Sequence, residues 1–279
     1  MGCSMDKRPI GVFDSGLGGL TSVRALRRLL PHEHIVYFGD TGRVPYGTRG
    51  ADTIIKYAKQ DIAFLLSHDV KYVMAACGTV SSTLPKADQM ALPVPFLGVV
   101  DAASSAAVCA SKTGRIGVLG TAATIRSGSY QKAIQAQCEG AAITATACPL
   151  FVPLVENGYV SDDCAVTRMI AEDYLAACKA AAVDTVILGC THYPLIRGVI
   201  AQVMGEGVTL IDAGAEAAKA AAADLAARAL LTSAENGKAE YYVSDSTESF
   251  MALAEAFLGE YAGGECRQIH IDAFEAPAT

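Results

Sequence analysis

The sequence lacks the patterns that mark several classes of protein. Its nine cysteines, at positions 3, 77, 109, 138, 148, 164, 178, 190 and 266, are odd in number and include no C-x-x-C pair. A disulfide framework and a zinc ribbon are therefore disfavoured. No stretch gathers basic residues, and 22 Lys and Arg stand against 29 Asp and Glu, for a net charge of -7. A chain of this charge without a basic patch is not expected to bind nucleic acid.

Long apolar runs are also missing. The segment from Met1 to Gly16 has no run of the kind that a secretory signal needs, and Asp6 stands where the myristoylation pattern requires Ser or Thr. The most Ala-rich stretch, Ala213 to Leu231, carries four charged side chains, which fits an amphipathic helix better than a membrane span. We therefore expect a cytoplasmic protein with no membrane partner.

The chain does contain enough apolar material for two globular domains. It has 279 residues, of which 52% are hydrophobic and 18% charged. Short β-branched runs alternate with helical patterns, which is typical of parallel sheets with crossover helices, so the predicted fold class is α/β. The expected strands are Ile10 to Phe13, Ile35 to Gly39, Val70 to Ala75, Phe96 to Val100, Ile116 to Leu119, Ile143 to Ala147, Thr185 to Leu188, Val208 to Ile211 and Tyr241 to Val243.

Two segments of the first half are echoed in the second half. Residues 10–15 resemble residues 116–121, and residues 70–79 resemble residues 183–192. Such echoes can arise by chance between parallel strands, but their similar spacing favours two pseudo-symmetric α/β lobes. We place the first lobe at residues 1–99 plus 213–279 and the second lobe at residues 100–212.

Polar motifs follow several of the predicted strands, which is where ligands bind in open parallel sheets. Asp14 and Ser15 precede glycines that let backbone N–H groups approach an anion, although helix capping is an alternative role for both. Cys77 and Cys190 each end a strand and precede hydroxyl residues at a helix start. A helix N-terminus lowers the pKa of a thiol. Simple burial is the alternative for either cysteine alone, but equivalent positions in two echoed lobes favour function.

Two thiols across a cleft suit the inversion of a carbon centre, in which one face loses a proton and the opposite face gains one. A thiol with a pKa near neutrality can be base or acid, so a pair can run the reaction in both directions. His192 can relay a proton or hold Cys190, unless it is a structural histidine.

Other chemistries are disfavoured by the same residues. A metal site of Cys77, Cys190, His192 and Asp14 would have only one closely spaced pair of ligands, Cys190 with His192. The G-x-S-x-G elbow of serine hydrolases, the P-loop and the dinucleotide fingerprint are absent from the sequence.

Five motifs together resemble those of glutamate racemases, members of the aspartate/glutamate racemase family. In order, they are Asp14-Ser-Gly-Leu-Gly-Gly, Gly39-Asp-Thr-Gly-Arg-Val-Pro-Tyr-Gly, Ala76-Cys-Gly-Thr, Pro153-Leu-Val-Glu and Gly189-Cys-Thr-His-Tyr-Pro-Leu, within a resemblance that runs from about Ile10 to Asp212. The resemblance implies a two-lobed enzyme with its site in the cleft, an isomerase that racemises glutamate without a cofactor or metal. It also implies a supply of D-glutamate for peptidoglycan and a homodimer.

The resemblance also implies roles for individual residues. Cys77 would take the proton from D-glutamate with Asp14 as its assistant, and Cys190 would take it from L-glutamate with His192. Glu156 matches an acidic residue on the histidine side, unless it is an exposed carboxylate at a helix end. The implied substrate-binding positions are Asp14, Ser15, Tyr46, Gly47, Gly78, Thr79, Thr121, Thr191 and His192.

Gly78 departs from the family pattern, in which asparagine usually follows the first cysteine. The loss of an amide contact to a charged substrate costs about 1.5 to 3 kcal/mol unless water or the Gly78 backbone replaces it. Two rival functions therefore stay open. One is a racemase of different specificity, such as one for aspartate, and the other is a binding protein for an acidic metabolite without catalysis.

Overall fold

The computed structural model describes residues 6–274. Its strands are β1 (Ile10–Asp14), β2 (Ile35–Gly39), β3 (Tyr72–Ala75), β4 (Phe96–Gly98), β5 (Arg115–Gly120), β6 (Ala142–Ala147), β7 (Thr185–Leu188), β8 (Thr209–Asp212), β9 (Ala239–Val243) and β10 (Cys266–Gln268). Its helices are α1 (Leu20–Leu29), α2 (Ala51–Ser67), α3 (Gly78–Thr83), α4 (Lys86–Met90), α5 (Val99–Ala110), α6 (Ala122–Ser127), α7 (Ser129–Gln135), α8 (Phe151–Glu156), α9 (Ala165–Ala180), α10 (Arg197–Met204), α11 (Ala213–Ala227) and α12 (Thr247–Leu258).

The strands form two sheets in which every neighbouring pair is parallel. A six-stranded sheet has the order β10-β9-β2-β1-β3-β4, and a four-stranded sheet has the order β6-β5-β7-β8. The central strands β1, β2, β3 and β7 are buried along their whole length, as expected where helices cover both faces of a parallel sheet. The predicted α/β class is confirmed.

The first four strands of each half have the same spatial order. In the larger sheet this order is β2-β1-β3-β4, and in the smaller sheet it is β6-β5-β7-β8. The echoed sequences therefore occupy equivalent strands, β1 with β5 and β3 with β7. The exact limits of the two lobes, 1–99 plus 213–279 and 100–212, stay a prediction.

Several details of the predicted strands are wrong. The strand expected at Val70 to Ala75 begins at Tyr72, and the strand expected at Tyr241 to Val243 begins at Ala239. The strand expected at Phe96 to Val100 ends at Gly98, because Val99 and Val100 instead begin the helix α5 with their side chains buried. A short apolar run has no period that separates a strand from the start of a buried helix. The strand β10 was not expected, since it is only three residues long and two of them are exposed.

No helix within residues 6–274 has the length and hydropathy that a membrane crossing requires. The Ala-rich stretch that raised this question forms α11, which is capped at its N-terminus by the Asp212 side chain. One face of α11 is buried, including Ala217, Ala221 and Leu225, and it packs against α1 and α5. The expected amphipathic helix is therefore observed.

Candidate active site

The functional loops leave the sheets at the points where the strand order reverses. In the larger sheet, β1 lies between β2 and β3, so the connection after β1 goes to one side and the next strand lies on the other side. In the smaller sheet, β5 lies between β6 and β7 in the same way. Loops that leave such strands at their carboxyl ends diverge and open a crevice. Asp14 ends β1 and Ser15 follows it. Cys77 follows β3, Thr121 follows β5 and Cys190 follows β7.

These loops line one cavity of about 350 Å³. Of the residues predicted for the site, all except Asp14 are part of its lining: Ser15, Tyr46, Gly47, Cys77, Gly78, Thr79, Thr121, Glu156, Cys190, Thr191 and His192. Asp14 is buried beside them, with 1% of its surface exposed. Within residues 6–274 the lining includes no arginine or lysine side chain.

The thiol of Cys77 lies in a polar but buried corner. Its Sγ atom donates a hydrogen bond to Ser15 Oγ at 3.5 Å. One oxygen of Asp14, Oδ2, accepts the N–H groups of Gly19 at 3.0 Å and Gly16 at 3.3 Å. The other, Oδ1, is buried without a hydrogen-bond partner among the described residues. A carboxyl group with a free acceptor therefore accompanies this thiol.

The expectation that a helix N-terminus lowers the pKa of the first thiol is wrong for this state of the protein. Burial, reinforced by the negative charge of Asp14, raises the pKa of Cys77 to about 12. Burial also raises the pKa of Asp14. The helix after Cys77, α3, has only six residues, and its N-terminus does not offset the cost of burying a thiolate next to a carboxylate.

The second thiol has different neighbours. Cys190 Sγ lies 3.9 Å from His192 Nδ1, and His192 Nε2 lies 2.9 Å from Glu156 Oε1. Burial by itself lowers the pKa of His192, but its contacts with Cys190 and Glu156 outweigh burial and raise the pKa to about 10. The imidazole is therefore protonated at neutral pH, and its Nδ1–H can donate a hydrogen bond to the Cys190 sulfur.

The two halves of the cleft touch through small residues. Thr79 Oγ1 and Thr121 Oγ1 form a hydrogen bond of 2.9 Å between loops of the two sheets. At Gly78 the approach is closer still, because a Cβ atom there would lie 2.1 Å from the carbonyl oxygen of Gly189. Any larger residue at position 78 requires the backbone to move.

Tyr46 lines the cavity in a way that the sequence did not indicate. Its side chain is 1% exposed, and its hydroxyl group contacts Asp40 and Asp61, neither of which lines the cavity. The hydroxyl group of Tyr46 is therefore engaged away from the cavity. The next residue, Gly47, lies against the Thr121 side chain.

Several lining residues were not predicted. They are Gly16, Val44, Pro45, Thr48, Ala122, Cys148, Pro149, Val152, Pro153 and Gly189. Cys148 follows β6 directly, so its position at a strand end was the available signal. Burial raises its pKa, and it forms part of the wall next to Tyr193, whose hydroxyl donates to the Cys148 carbonyl at 3.0 Å.

The rival metal site can be compared with the observed positions. Among the described residues, no three His, Cys, Asp or Glu side chains come close enough together to hold one ion. The eight cysteines between residues 6 and 274 are all free. Cys77 and Cys190 instead each have their own separate hydrogen-bonding partners.

Comparison with known proteins agrees with this arrangement. The sequence pattern of the Asp/Glu/Hydantoin racemase family matches residues 21–221. The chain belongs to this family. It is 46% identical over 253 residues to the glutamate racemase of Chlorobaculum tepidum, covering 90% of this chain and 92% of that protein.

Solved structures of the family are also similar along their whole length. A glutamate racemase isoform from Bacillus anthracis has a TM-score of 0.89 at 35% identity, with 94% of this chain and 98% of that chain covered. The glutamate racemase from Francisella tularensis in complex with D-glutamate has a TM-score of 0.89 at 36% identity, with 97% of this chain and 100% of that chain covered. The chain is thus an isomerase of the amino-acid racemase type.

Proposed function

We propose that this protein interconverts L-glutamate and D-glutamate by proton transfer at Cα between two thiols. The observation that carries the proposal is the pair Cys77 and Cys190, which follow equivalent strands and line one cavity with different partners. Relatives over nearly the whole chain are glutamate racemases, and one was solved with D-glutamate bound.

The proposed reaction moves one proton off the substrate and one proton on. From L-glutamate, the Cys190 thiolate takes the Cα proton, and the Cys77 thiol delivers its proton to the opposite face of the resulting carbanion. The reverse reaction begins with the Cys77 thiolate and ends with the Cys190 thiol. Cys77 is protonated at rest because burial raises its pKa to about 12, so it is ready as the acid for L-glutamate.

Each thiol has a partner suited to this exchange. The protonated His192 lies 3.9 Å from the Cys190 sulfur as a hydrogen-bond donor, and its bond to Glu156, whose side chain is 38% exposed, connects it to solvent. On the other side, the unpartnered Oδ1 of Asp14 is an acceptor close to Cys77. Asp14 is thereby placed to assist deprotonation of Cys77 when D-glutamate is the substrate.

The proposed mode of substrate binding relies on neutral donors. The substrate carboxylates would bind to hydroxyl groups of Ser15, Thr79, Thr121 and Thr191 and to backbone N–H groups at the starts of α3 and α6. Uncharged donors bind an anion without an additional positive charge, so an acidic protein can hold an acidic ligand.

The proposal is tested by circular dichroism of L-glutamate and D-glutamate, incubated separately with the protein in D₂O with no cofactor or metal added. Both samples are expected to reach zero ellipticity, with deuterium at Cα in the product. The same assay with aspartate tests the rival specificity. A protein that binds glutamate but leaves both enantiomers unchanged would be a binding protein and not a racemase.

Gly78 bears directly on that specificity. Because a Cβ atom at this position would meet the Gly189 carbonyl oxygen, we expect Gly78→Ala and Gly78→Asn to separate the two loops and to lower kcat/KM for glutamate at least about tenfold. Gly140→Ala is the control, since nothing lies within 4 Å of a Cβ atom there. An asparagine variant with improved kcat/KM would instead show that the lost amide contact limits the natural enzyme.

The link between Glu156 and His192 predicts a pH effect. A raised pKa means that His192 keeps its proton until the pH rises through about 10. Glu156→Gln removes one of the contacts that raise this pKa, so the basic limb of the rate profile from L-glutamate should move to lower pH. The rate should also fall roughly tenfold, after allowance for the partial exposure of Glu156. As a control, Glu172→Gln changes an exposed carboxylate on α9 and should leave the rate profile unchanged. If the basic limb does not move in Glu156→Gln, Glu156 does not set the pKa of His192.

We further propose that the enzyme works in the cytoplasm as a homodimer and supplies D-glutamate for peptidoglycan. The resemblance to bacterial glutamate racemases supports the biological role. Rescue of a bacterial strain that requires added D-glutamate would test the role, and light scattering coupled to gel filtration would test the dimer. A monomer of 29.0 kDa in solution would contradict the dimer.

A further inference from the structure

A buried polar cluster lies behind the part of the cleft formed by Tyr46 and Gly47. Arg43 Nε donates to Asp40 Oδ2 at 2.6 Å, and Arg43 Nη2 donates to Asp61 Oδ1 at 3.0 Å. The Tyr46 hydroxyl group contacts Oδ2 of Asp40 and, at 3.2 Å, Oδ2 of Asp61. Both carboxyl side chains are 0% exposed, whereas the Arg43 side chain is 13% exposed.

The charges of this cluster do not balance if both carboxyl groups are ionised. Two carboxylates against one guanidinium would leave a net negative charge buried, which is unfavourable in a protein interior. Asp272 brings a third carboxyl group to within 4.0 Å of Arg43 Nη1, but its side chain is 91% exposed to solvent. Gln60 and Ser244 are neutral; Gln60 accepts from Arg43 at 2.6 Å and Ser244 donates to Asp40 at 2.7 Å. One carboxyl group should therefore carry a proton.

The hydroxyl group of Tyr46 leads to the same conclusion independently of charge. It has a single proton to donate, yet it contacts an oxygen of each carboxyl group. If both groups were carboxylates, one contact would be a hydrogen bond. In the other contact, the Tyr46 oxygen and the carboxylate oxygen would face each other without a proton between them. Both contacts are two-centre hydrogen bonds only when one carboxyl group donates to the Tyr46 oxygen.

The hydrogen-bond donors identify Asp61 as the protonated group. Asp40 accepts from Arg43, from Ser244 and from Tyr46, so its negative charge is well compensated. Among the described residues, Asp61 has side-chain hydrogen-bond contacts only with Arg43 and the Tyr46 hydroxyl. Burial, and then the charge of Asp40, also raise the pKa of Asp61 well above its usual range.

We propose that Asp61, in its protonated form, is a positioning residue that holds the Tyr46–Gly47 turn against the substrate cleft. The protons would run in one direction, from Asp61 to the Tyr46 oxygen and from the Tyr46 hydroxyl to Asp40, while Arg43 donates to both carboxyl groups. This arrangement ties the turn to α2, which carries Asp61. The role in catalysis rests on the function proposed above, whereas the buried proton does not.

The cluster affects the cleft because the turn that it holds is short. Residues Tyr46–Thr48 form a single turn of 3-10 helix, and all three of them line the cavity. Gly47 lies against Thr121 of the opposite loop, so a displaced turn changes the shape of the cavity on both sides. No residue of the cluster except Tyr46 lines the cavity.

Two variants of Asp61 separate a protonated carboxyl from a carboxylate. In Asp61→Asn the amide nitrogen can donate to Tyr46 and the amide oxygen can accept from Arg43, so kcat and KM should stay within about twofold of the wild type. In Asp61→Leu both contacts are lost, and KM for glutamate should rise about tenfold with a smaller change in kcat. Asp52→Leu, an exposed site on the same helix, is the control and should leave both constants unchanged.

Infrared difference spectra of the wild type against Asp61→Asn, which need no substrate, would detect the protonated carbonyl band directly. If Asp61→Asn loses as much activity as Asp61→Leu and this band is missing, Asp61 is a carboxylate and the proposal is wrong. If Asp61→Leu keeps the wild-type KM, Asp61 does not position the turn. A wild type that does not racemise glutamate contradicts the proposed function instead, and the infrared measurement still decides whether the proton is present.

Discussion

Replacing Cys77 by serine is expected to stop the interconversion of the glutamate enantiomers in both directions, with a loss of about 10²- to 10⁴-fold in kcat. In the proposed mechanism, each direction needs one thiol to remove the Cα proton and the other to deliver a proton to the opposite face. The serine hydroxyl is a much weaker acid than the thiol. Cys190→Ser should therefore have the same overall effect, although each thiol has different neighbours.

Exchange with solvent should distinguish the two variants. In Cys77→Ser, Cys190 still removes the proton from L-glutamate, and His192 connects it through the partly exposed Glu156 to solvent. Deuterium from D₂O should then appear in L-glutamate without inversion. In Cys190→Ser the remaining thiol is buried beside the buried Asp14, so exchange into D-glutamate should be slower.

Proton NMR of the Cα position, together with circular dichroism, measures exchange and inversion separately. Cys109→Ser is the matched control, because this thiol is exposed and is not part of the lining of the cleft. Full racemisation by either Cys77→Ser or Cys190→Ser would be incompatible with the two-thiol mechanism.

The second large effect concerns stability and a different pair of charges. Lys71 Nζ donates to Glu33 Oε2 at 2.6 Å and to the Asp6 carbonyl oxygen at 2.8 Å, and the Lys71 side chain is 0% exposed. The other oxygen of Glu33 accepts the Thr232 N–H group at 2.7 Å. Lys71→Met would leave the Glu33 charge buried without its partner, and we expect the free energy of unfolding to fall by about 3 to 5 kcal/mol.

Urea unfolding followed by circular dichroism measures this loss. Lys86→Met is the comparison, because Lys86 pairs with Asp101 at an exposed site where such a pair contributes about 1 kcal/mol or less. Adding Glu33→Leu to Lys71→Met should recover part of the stability, since it removes the unpaired charge. Equal losses in Lys71→Met and Lys86→Met would mean that Glu33 is neutralised in another way.

Sequence patterns identified much of the site because parallel topology constrains where residues can meet. Cys77 and Cys190 were found from their positions after strands of the two sheets, and the carboxyl end of a strand in an open parallel sheet is where a side chain can reach a ligand. The same reasoning applies to Asp14, which ends β1, whereas Thr121 was predicted from the resemblance to glutamate racemases. The positions of Cys77, Cys190 and Asp14 follow from the order of elements along the chain, so a single sequence is enough to predict them.

What the sequence could not predict depends on contacts between distant segments. The pKa of Cys77 rises because burial outweighs the helix N-terminus, and burial is decided by the closed cleft. The contact of Gly78 with the Gly189 carbonyl oxygen joins loops of two sheets. Asp61 gains its meaning only from the packing of α2 behind the Tyr46 turn. None of these contacts leaves a local pattern in the sequence.

The repeated strand order has a consequence for the energetics of the reaction. Enantiomers have equal free energies in water, so the equilibrium constant is one, and kcat/KM must be the same in both directions for any enzyme that interconverts them. A chain of L-residues can supply two lobes with the same strand order, but it cannot make their surroundings mirror images. Asp14 stands beside one thiol and a protonated His192 beside the other. The two directions can therefore differ in kcat and in KM, but both constants must differ by the same factor, so that kcat/KM stays equal.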